Sequence, residues 1–444
     1  MSVYDLYREK LRTPEEAVRI VKSGDWVDYG TNNSFPVLLD AALAKRRDEL
    51  RRVKVRGNLI RGPVAVAECD PTLEHFVYHS WHCSAYERKL CEQGRAFFTP
   101  MVFRNEAWYY EQFLTVNVAM VSVAPMDRHG YFNLSCALGI NRTVLERAEH
   151  VILEVNEALP RIQGGFGESV HISEIDCVVE AGHRPLWEMK SPAPSETDVQ
   201  IAGHIFPHIR DGATVQLGIG GTPNALGELI AESELKDLGM HTELCSDGYL
   251  ALAKAGKLTN RRKTLYPGRG ILGLAIGSQE LYDWVDDNPG VAGFPLRWVN
   301  DPTVIAQNED MISINACLNV DLYGQVSAES AGARQISGTG GQLDFVTGAT
   351  MAKGGKAFLC LPSTYTDRAG ERHSRIVPTF QGDIVTTPRS QAYYIVTEYG
   401  ARNLAGLSTW ERADALISLA HPDFRDTLIR EAEARRIWLP HHKR

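Results

Sequence analysis

Along this chain the apolar positions fall into short, nearly continuous runs. Val118-Ala119-Met120-Val121-Ser122-Val123, His150-Val151-Ile152-Leu153-Glu154-Val155 and Ile312-Ser313-Ile314-Asn315-Ala316-Cys317 are three of them. Runs this short, apolar on successive rather than alternate residues, predict strands buried on both faces. Helical segments stand between them, some opened by a proline, as at Pro36 and Pro223. Proline suits a first helical turn, whose N–H groups have no partner within the helix. Short buried strands alternating with helices predict parallel sheets covered by helices.

The pattern occurs twice. Ser23-Gly24-Asp25-Trp26-Val27-Asp28-Tyr29-Gly30 with Pro36 matches Asp211-Gly212-Ala213-Thr214-Val215-Gln216-Leu217-Gly218 with Pro223. Downstream, Asp127 to Tyr131 and Asp321 to Gln325 each form an Asp-x-x-Gly turn after an apolar strand. The expected fold is therefore α/β: two related open α/β domains with mostly parallel sheets, produced by tandem duplication. The divider is expected in Lys190-Ser191-Pro192-Ala193-Pro194-Ser195, giving domains 1–190 and 191–444.

The length of 444 residues exceeds what one core supports, in agreement with two domains. With 47 Lys and Arg against 55 Asp and Glu, the net charge of −8 leaves no basic footprint for nucleic acid. The eight cysteines form no C-x-x-C pair, so neither a zinc site nor a disulfide framework is expected; they read as buried, reduced thiols. The charged start, Asp5 to Arg12, does not resemble a signal peptide. No apolar run approaches the ~20 residues of a membrane span. These features predict a soluble cytoplasmic protein.

The halves differ where chemistry would sit. Only the second carries Gly218-Ile219-Gly220-Gly221-Thr222-Pro223 between strand and helix, the position of a phosphate-binding turn. It lacks the third glycine of G-x-G-x-x-G, which counts against nicotinamide binding. Only the second places a carboxylate, Glu243, at a strand end, between His241 and Ser246-Asp247-Gly248. Ligands bind beyond the carboxyl ends of strands in open α/β sheets. A carboxylate there can act as a nucleophile that splits an acyl transfer into two easier steps. The extra loop Gly338-Thr339-Gly340-Gly341-Gln342 can bring backbone N–H groups close to a developing oxyanion. A tight turn, a solvated glutamate and a surface loop are the alternatives for these three features.

Taken together, Met240-His241-Thr242-Glu243-Leu244-Cys245-Ser246-Asp247-Gly248, Val299-Asn300-Asp301-Pro302, Val320 to Val326, Ser337 to Phe345 and Val396-Thr397-Glu398-Tyr399-Gly400 resemble the acetyl-CoA hydrolase/transferase family. The length and motif set resemble its 4-hydroxybutyrate, butyrate and itaconate CoA-transferase branch. The resemblance implies a ping-pong CoA-transferase in which Glu243 passes through an acyl anhydride and a glutamyl-CoA thioester. CoA is then the carried group, with no permanently bound cofactor or metal. By the same resemblance, Asn300 is an oxyanion donor, and Gly218, Ile219, Gly220, Gly221, Thr222, Leu318, Asn319, Gly340 and Gly341 contact CoA. The N-terminal domain takes the acyl and acceptor side, and a homodimer or a tetramer is implied.

The first half departs from the family pattern at Asn32, Asn33 and Arg61. A guanidinium fork there would suit a second carboxylate on the acceptor, as in itaconate or succinate; ion pairing at the surface is the other reading of Arg61. The functional alternatives are an acyl-CoA hydrolase using the same site and a non-catalytic CoA-binding protein. A nicotinamide dehydrogenase stands behind both.

Overall fold

The structure, a computed structural model, describes residues 2–189 and 193–442. Of the expected divider, Lys190 to Ser195, residues 190–192 lie outside the described residues, and Ser195 caps the helix Glu196–Ile205. Two large sheets lie on either side of that divider. The first contains β1 (Trp26–Tyr29), β2 (Val53–Gly57), β3 (Phe76–Ser80), β4 (Ala96–Phe98), β5 (Val118–Val123), β6 (His150–Val155) and β7 (Cys177–Glu180). Its order is β4-β3-β2-β1-β5-β6-β7, parallel throughout.

The second contains β8 (Thr214–Leu217), β9 (Gly239–Cys245), β10 (Gly270–Ala275), β11 (Val291–Gly293), β12 (Met311–Ala316), β13 (Lys356–Cys360), β14 (Tyr394–Thr397) and β15 (Gly400–Asn403). Its order, β11-β10-β9-β8-β12-β13-β14-β15, repeats the first and adds one antiparallel edge strand. The continuous apolar runs are the central strands: every residue of β5 and of β10 is buried. That follows from helices covering both faces of a parallel sheet.

The two halves share a core. One hydrophobic cluster runs from Phe103, Val121 and Leu138 of the first to Leu217, Leu274 and Leu296 of the second. In each sheet the strand order reverses beside the first strand, at β1/β5 and at β8/β12. Such a reversal opens a crevice at the carboxyl ends of the strands. Among the described residues no helix is long and apolar enough to cross a membrane.

Candidate active site

Glu243 lies near the carboxyl end of β9 and lines a cavity of about 630 Å³ between the two halves. Its Oε2 accepts a hydrogen bond of 2.7 Å from Asn300 Nδ2. The same nitrogen donates to Asp344 Oδ2 at 3.1 Å. Asp344 is fully buried and accepts in turn from the Arg104 backbone N–H at 3.1 Å and from Arg104 Nη1 at 2.8 Å. Arg104, from the first half, thus anchors the far end of a chain that ends on Glu243.

Burial pushes the Glu243 carboxyl up to about 8; the Asn300 hydrogen bond opposes the rise and the Asp344 charge adds to it. Burial likewise raises Asp344 to about 6, against the pull of Asn300 and Arg104. Near neutral pH, Asp344 is mostly ionised and Glu243 mostly protonated. A carboxyl held this high is a stronger nucleophile once it ionises than an ordinary glutamate.

His241, two residues before Glu243, positions Asn300. Its Nε2–H donates to Val299 O at 2.8 Å, and Asn308 Nδ2 donates to its Nδ1 at 3.3 Å. Burial, reinforced by Lys263, pushes this imidazole down to about 3, so it stays neutral with the tautomer that Val299 requires. The short helix α4 (Leu296–Val299) ends there, and the Asn300 N–H bonds back to Leu296 O.

The glycine loop runs into helix α5 (Gln342–Met351), with Gly341 as its N-cap. A Cβ on Gly341 would collide with Glu243 Oε2 and Asn300 Nδ2, so only glycine lets the positive end of this helix come so close to the carboxylate. The first half holds the loop in place. Cys83 N–H donates to Ser337 O at 3.2 Å, Phe103 N–H to Gly340 O at 3.2 Å, and Arg88 Nε to Ile336 O at 2.8 Å.

Of the residues expected from sequence, Asn32, Arg61, Gly218, Ile219, Glu243, Gly340 and Gly341 line this cavity. Ile219 is half exposed at its edge. Asn300 is fully buried behind Glu243, with Nδ2 already bonded to two carboxylates. It therefore addresses the carboxyl of Glu243 rather than an incoming carbonyl. Gly220, Gly221 and Thr222 are not among the lining residues; the Thr222 hydroxyl donates to Asp198 Oδ1 at 2.8 Å. Leu318 and Asn319 also lie off the lining, and Asn319 Nδ2 donates to Asp383 Oδ1 at 3.0 Å.

The lining residues from that strand are Asn315 and Ala316. Asn315 shares hydrogen bonds with Gln216 and Ser313. In the first half Asn33 faces a smaller cavity, and its amide group bonds to Trp187 and Tyr282. Asn32 adopts a left-handed φ of 49° and borders both cavities. Arg61 is exposed at the rim, donating to Glu188 O at 3.2 Å. Sequence reasoning missed Asp344, Arg104, Gln216 and Asn315. Asp344 lay within the Ser337–Phe345 run and carried a signal; Arg104 carried none.

Two family models match the chain. The acetyl-CoA hydrolase/transferase N-terminal domain covers residues 1–186, and the C-terminal domain of the same family covers residues 277–432. Glu243 lies between the two matched stretches. The chain is 48% identical over 441 residues to the butyryl-CoA:acetate CoA-transferase of Anaerostipes caccae, spanning 99% of both chains. It is 39% identical over 434 residues to the 4-hydroxybutyrate coenzyme A transferase of Clostridium kluyveri, spanning 97% of this chain and 99% of that one. The crystal structure of RipA from Yersinia pestis superposes with a TM-score of 0.90 at 37% identity, over 98% of this chain and 100% of RipA. On both sequence and architecture, the chain belongs to the acetyl-CoA hydrolase/transferase family and is, within it, a CoA-transferase.

Proposed function

We propose that this protein moves CoA from a short acyl-CoA, such as acetyl-CoA or succinyl-CoA, to a short-chain carboxylic acid, with Glu243 as covalent carrier. The observation that carries the reading is the Glu243–Asn300 hydrogen bond at the cavity between the halves. The ionised Oε of Glu243 attacks the thioester carbonyl; the C–S bond breaks, leaving an acyl-glutamyl anhydride and CoA thiolate. The thiolate then attacks the Glu243 Cδ, releasing the donor acid and leaving a glutamyl-CoA thioester. The acceptor carboxylate repeats these steps in reverse. Asn300 is placed to stabilise the oxyanion of the second attack, which forms on the Glu243 carboxyl itself.

CoA enters along Gly218 and Ile219, and the acid binds toward Asn32 and Arg61. Relatives named for butyrate, acetate and 4-hydroxybutyrate favour small acids of that size. Arg61 at the rim adds a fork suited to a second carboxylate, so itaconate is included in the acceptor set. Intact-protein mass measurement after mixing with acetyl-CoA, followed by borohydride, tests the carrier. An adduct or reduced product at Glu243, absent in Glu243→Ala, is the expected result. Protein that consumes acyl-CoA without any modification would refute it, and free CoA without new acyl-CoA in the presence of acceptor would mean hydrolysis. For the acceptor, Arg61→Ala should weaken kcat/KM on itaconate by roughly tenfold more than on butyrate; an equal loss on both acids sinks the dicarboxylate assignment.

A further inference from the structure

Two of the eight cysteines meet at the wall of the reaction cavity. Cys83 directly precedes Ser84, the N-cap of helix α2 (Ala85–Glu92), and Cys91 is in the last turn of that helix. Their sulfur atoms stand 3.9 Å apart. Cys83 is buried and lines the cavity, while Cys91 is only partly buried and lies outside the lining. We propose that Cys83 and Cys91 form a peroxide-sensitive thiol pair whose closure to a disulfide switches the transferase off.

The chemistry divides between the two. Either thiol can donate across this contact; with Cys83 as the donor, the contact lowers the Cys91 thiol and, together with burial, pushes Cys83 up. The more accessible sulfur is therefore also the readier thiolate, and thiolate is the reactive form. The Cys91 thiolate attacks one oxygen of hydrogen peroxide and the O–O bond breaks; hydroxide departs and becomes water with the proton Cys91 gave up, and Cys91 is left as a sulfenic acid. The Cys83 sulfur then attacks the Cys91 sulfur, and the S–O bond breaks. The released oxygen leaves as water with the Cys83 proton. Two thiols lose two electrons in all, and one peroxide becomes two waters.

Closure disturbs the catalytic centre through backbone contacts. A disulfide needs its sulfurs at about 2.05 Å, so Cys83, the end of α2, or both must move. Cys83 N–H holds Ser337 O at the head of the glycine loop. The loop has no slack against this seat: a Cβ on Gly338 would stand 2.8 Å from Trp81 O and 3.0 Å from the His82 Cα. Three residues further on, Gly341 abuts Glu243 and Asn300. Pulling Cys83 toward Cys91 therefore shifts the segment that shapes the Glu243 surroundings.

The test treats the reduced full-length protein with hydrogen peroxide, caps the remaining thiols with iodoacetamide and maps peptides by mass spectrometry alongside transferase activity. The expected result is a peptide linked through Cys83 and Cys91, a loss of activity of roughly tenfold or more, and recovery with dithiothreitol. Cys91→Ser, or Cys91→Ala if the serine variant folds poorly, should keep the activity of the reduced protein within about twofold and resist peroxide. Activity lost while both thiols remain open to alkylation overturns the proposal. So does a linked protein that still turns over, or a Cys91 variant inactivated as fast as the unaltered protein. The linked peptide is read independently of the Glu243 adduct, so failure of the carrier and failure of the switch are distinguishable.

Discussion

At equivalent places in the two sheets this protein carries opposite solutions to a buried charge. Trp26 pairs with Lys54 in the first sheet and Thr214 pairs with Gly239 in the second. Four residues beyond those partners stand Asn58 and Glu243. Two residues before Asn58, the first half pairs its charges with each other: Arg56 donates to Asp28 through Nε at 2.9 Å and Nη2 at 2.7 Å. Their counterparts in the second half are His241 and Gln216, both uncharged. Glu154 of β6 caps the N-terminus of helix α1 (Val37–Lys45), accepting from Leu38 N–H and Leu39 N–H at 2.9 and 3.0 Å. The position equivalent to Glu154 is Cys360, because His150 and Lys356 are matched in register.

At these positions the first half pairs or caps its charges, Asp28 with Arg56 and Glu154 with the start of α1. The second leaves one carboxyl facing a cavity with no cation bonded to it, and burial keeps that carboxyl basic. At the equivalent places of the two frames, only the second presents a carboxyl to the cavity between the halves. That difference can be attacked from both sides.

The largest effect is expected from making the second half resemble the first. Glu243→Asn should lower kcat by about four orders of magnitude or more and abolish the acyl adduct, as measured by single-turnover mass spectrometry. Next comes Gly341→Ala, whose methyl group displaces the Glu243 carboxylate. It should cost roughly a hundredfold in kcat with a much smaller change in the thermal midpoint, checked by steady-state kinetics and calorimetry.

Asn300→Ala should lower kcat by about a hundredfold and shift the pH profile. Activity in the unaltered protein should rise with pH through about 8, as Glu243 ionises. Asn300 lowers that value, so its removal moves the rising limb to higher pH; a limb that stays in place would detach Asn300 from Glu243. The same carboxyl affects stability. Its folded value lies above the 4.5 of an ordinary glutamate, so the folded state holds a proton that the unfolded state has lost. Stability from this group is present below about pH 4.5 and is lost as pH rises toward 8. Glu243→Gln should therefore gain stability relative to the unaltered protein at pH 9 and not at pH 4, in urea titrations.

The smallest effect is expected in the first half. Glu154→Gln keeps a cap on α1 while removing a charge, and should leave kcat within about threefold and cost no more than roughly 1 kcal/mol. A large loss of kcat would mean that the first half takes part electrostatically after all.

Much of this was legible in the sequence. The paired glycine turns and apolar runs located the four central strands of each sheet, because strands buried on both faces have little choice but Val, Ile, Leu and Ala; the outer strands were not located. Glu243 alone was a weak signal; its setting at a strand end and the resemblance of Met240 to Gly248 to a family motif singled it out, and the structure puts it on the cavity. The end of β12 was misplaced by a few residues. Cys317 and Leu318 continue the apolar run after the strand has stopped at Ala316, so the strand end was put at Leu318 and Asn319, whereas Asn315 and Ala316 are the residues of that run lining the cavity. Asn300 was named from the family motif, but a sequence does not say which carbonyl an amide faces; here it faces the Glu243 carboxyl. The Arg104–Asp344 anchor joins residues 240 positions apart, and the contact of Cys83 with Cys91 depends on how the chain enters α2. No periodicity encodes either.

The seating of Ser337 to Gly341 on Trp81, His82 and Cys83 has a consequence for anyone redesigning acid selectivity by grafting. Exchanging the first half for that of a relative would change the residues it contributes to the cavity and, in the same stroke, the mould against which the glycine loop is cast. A successful chimera must carry its own loop with its own mould, so the portable unit is the pair rather than either half.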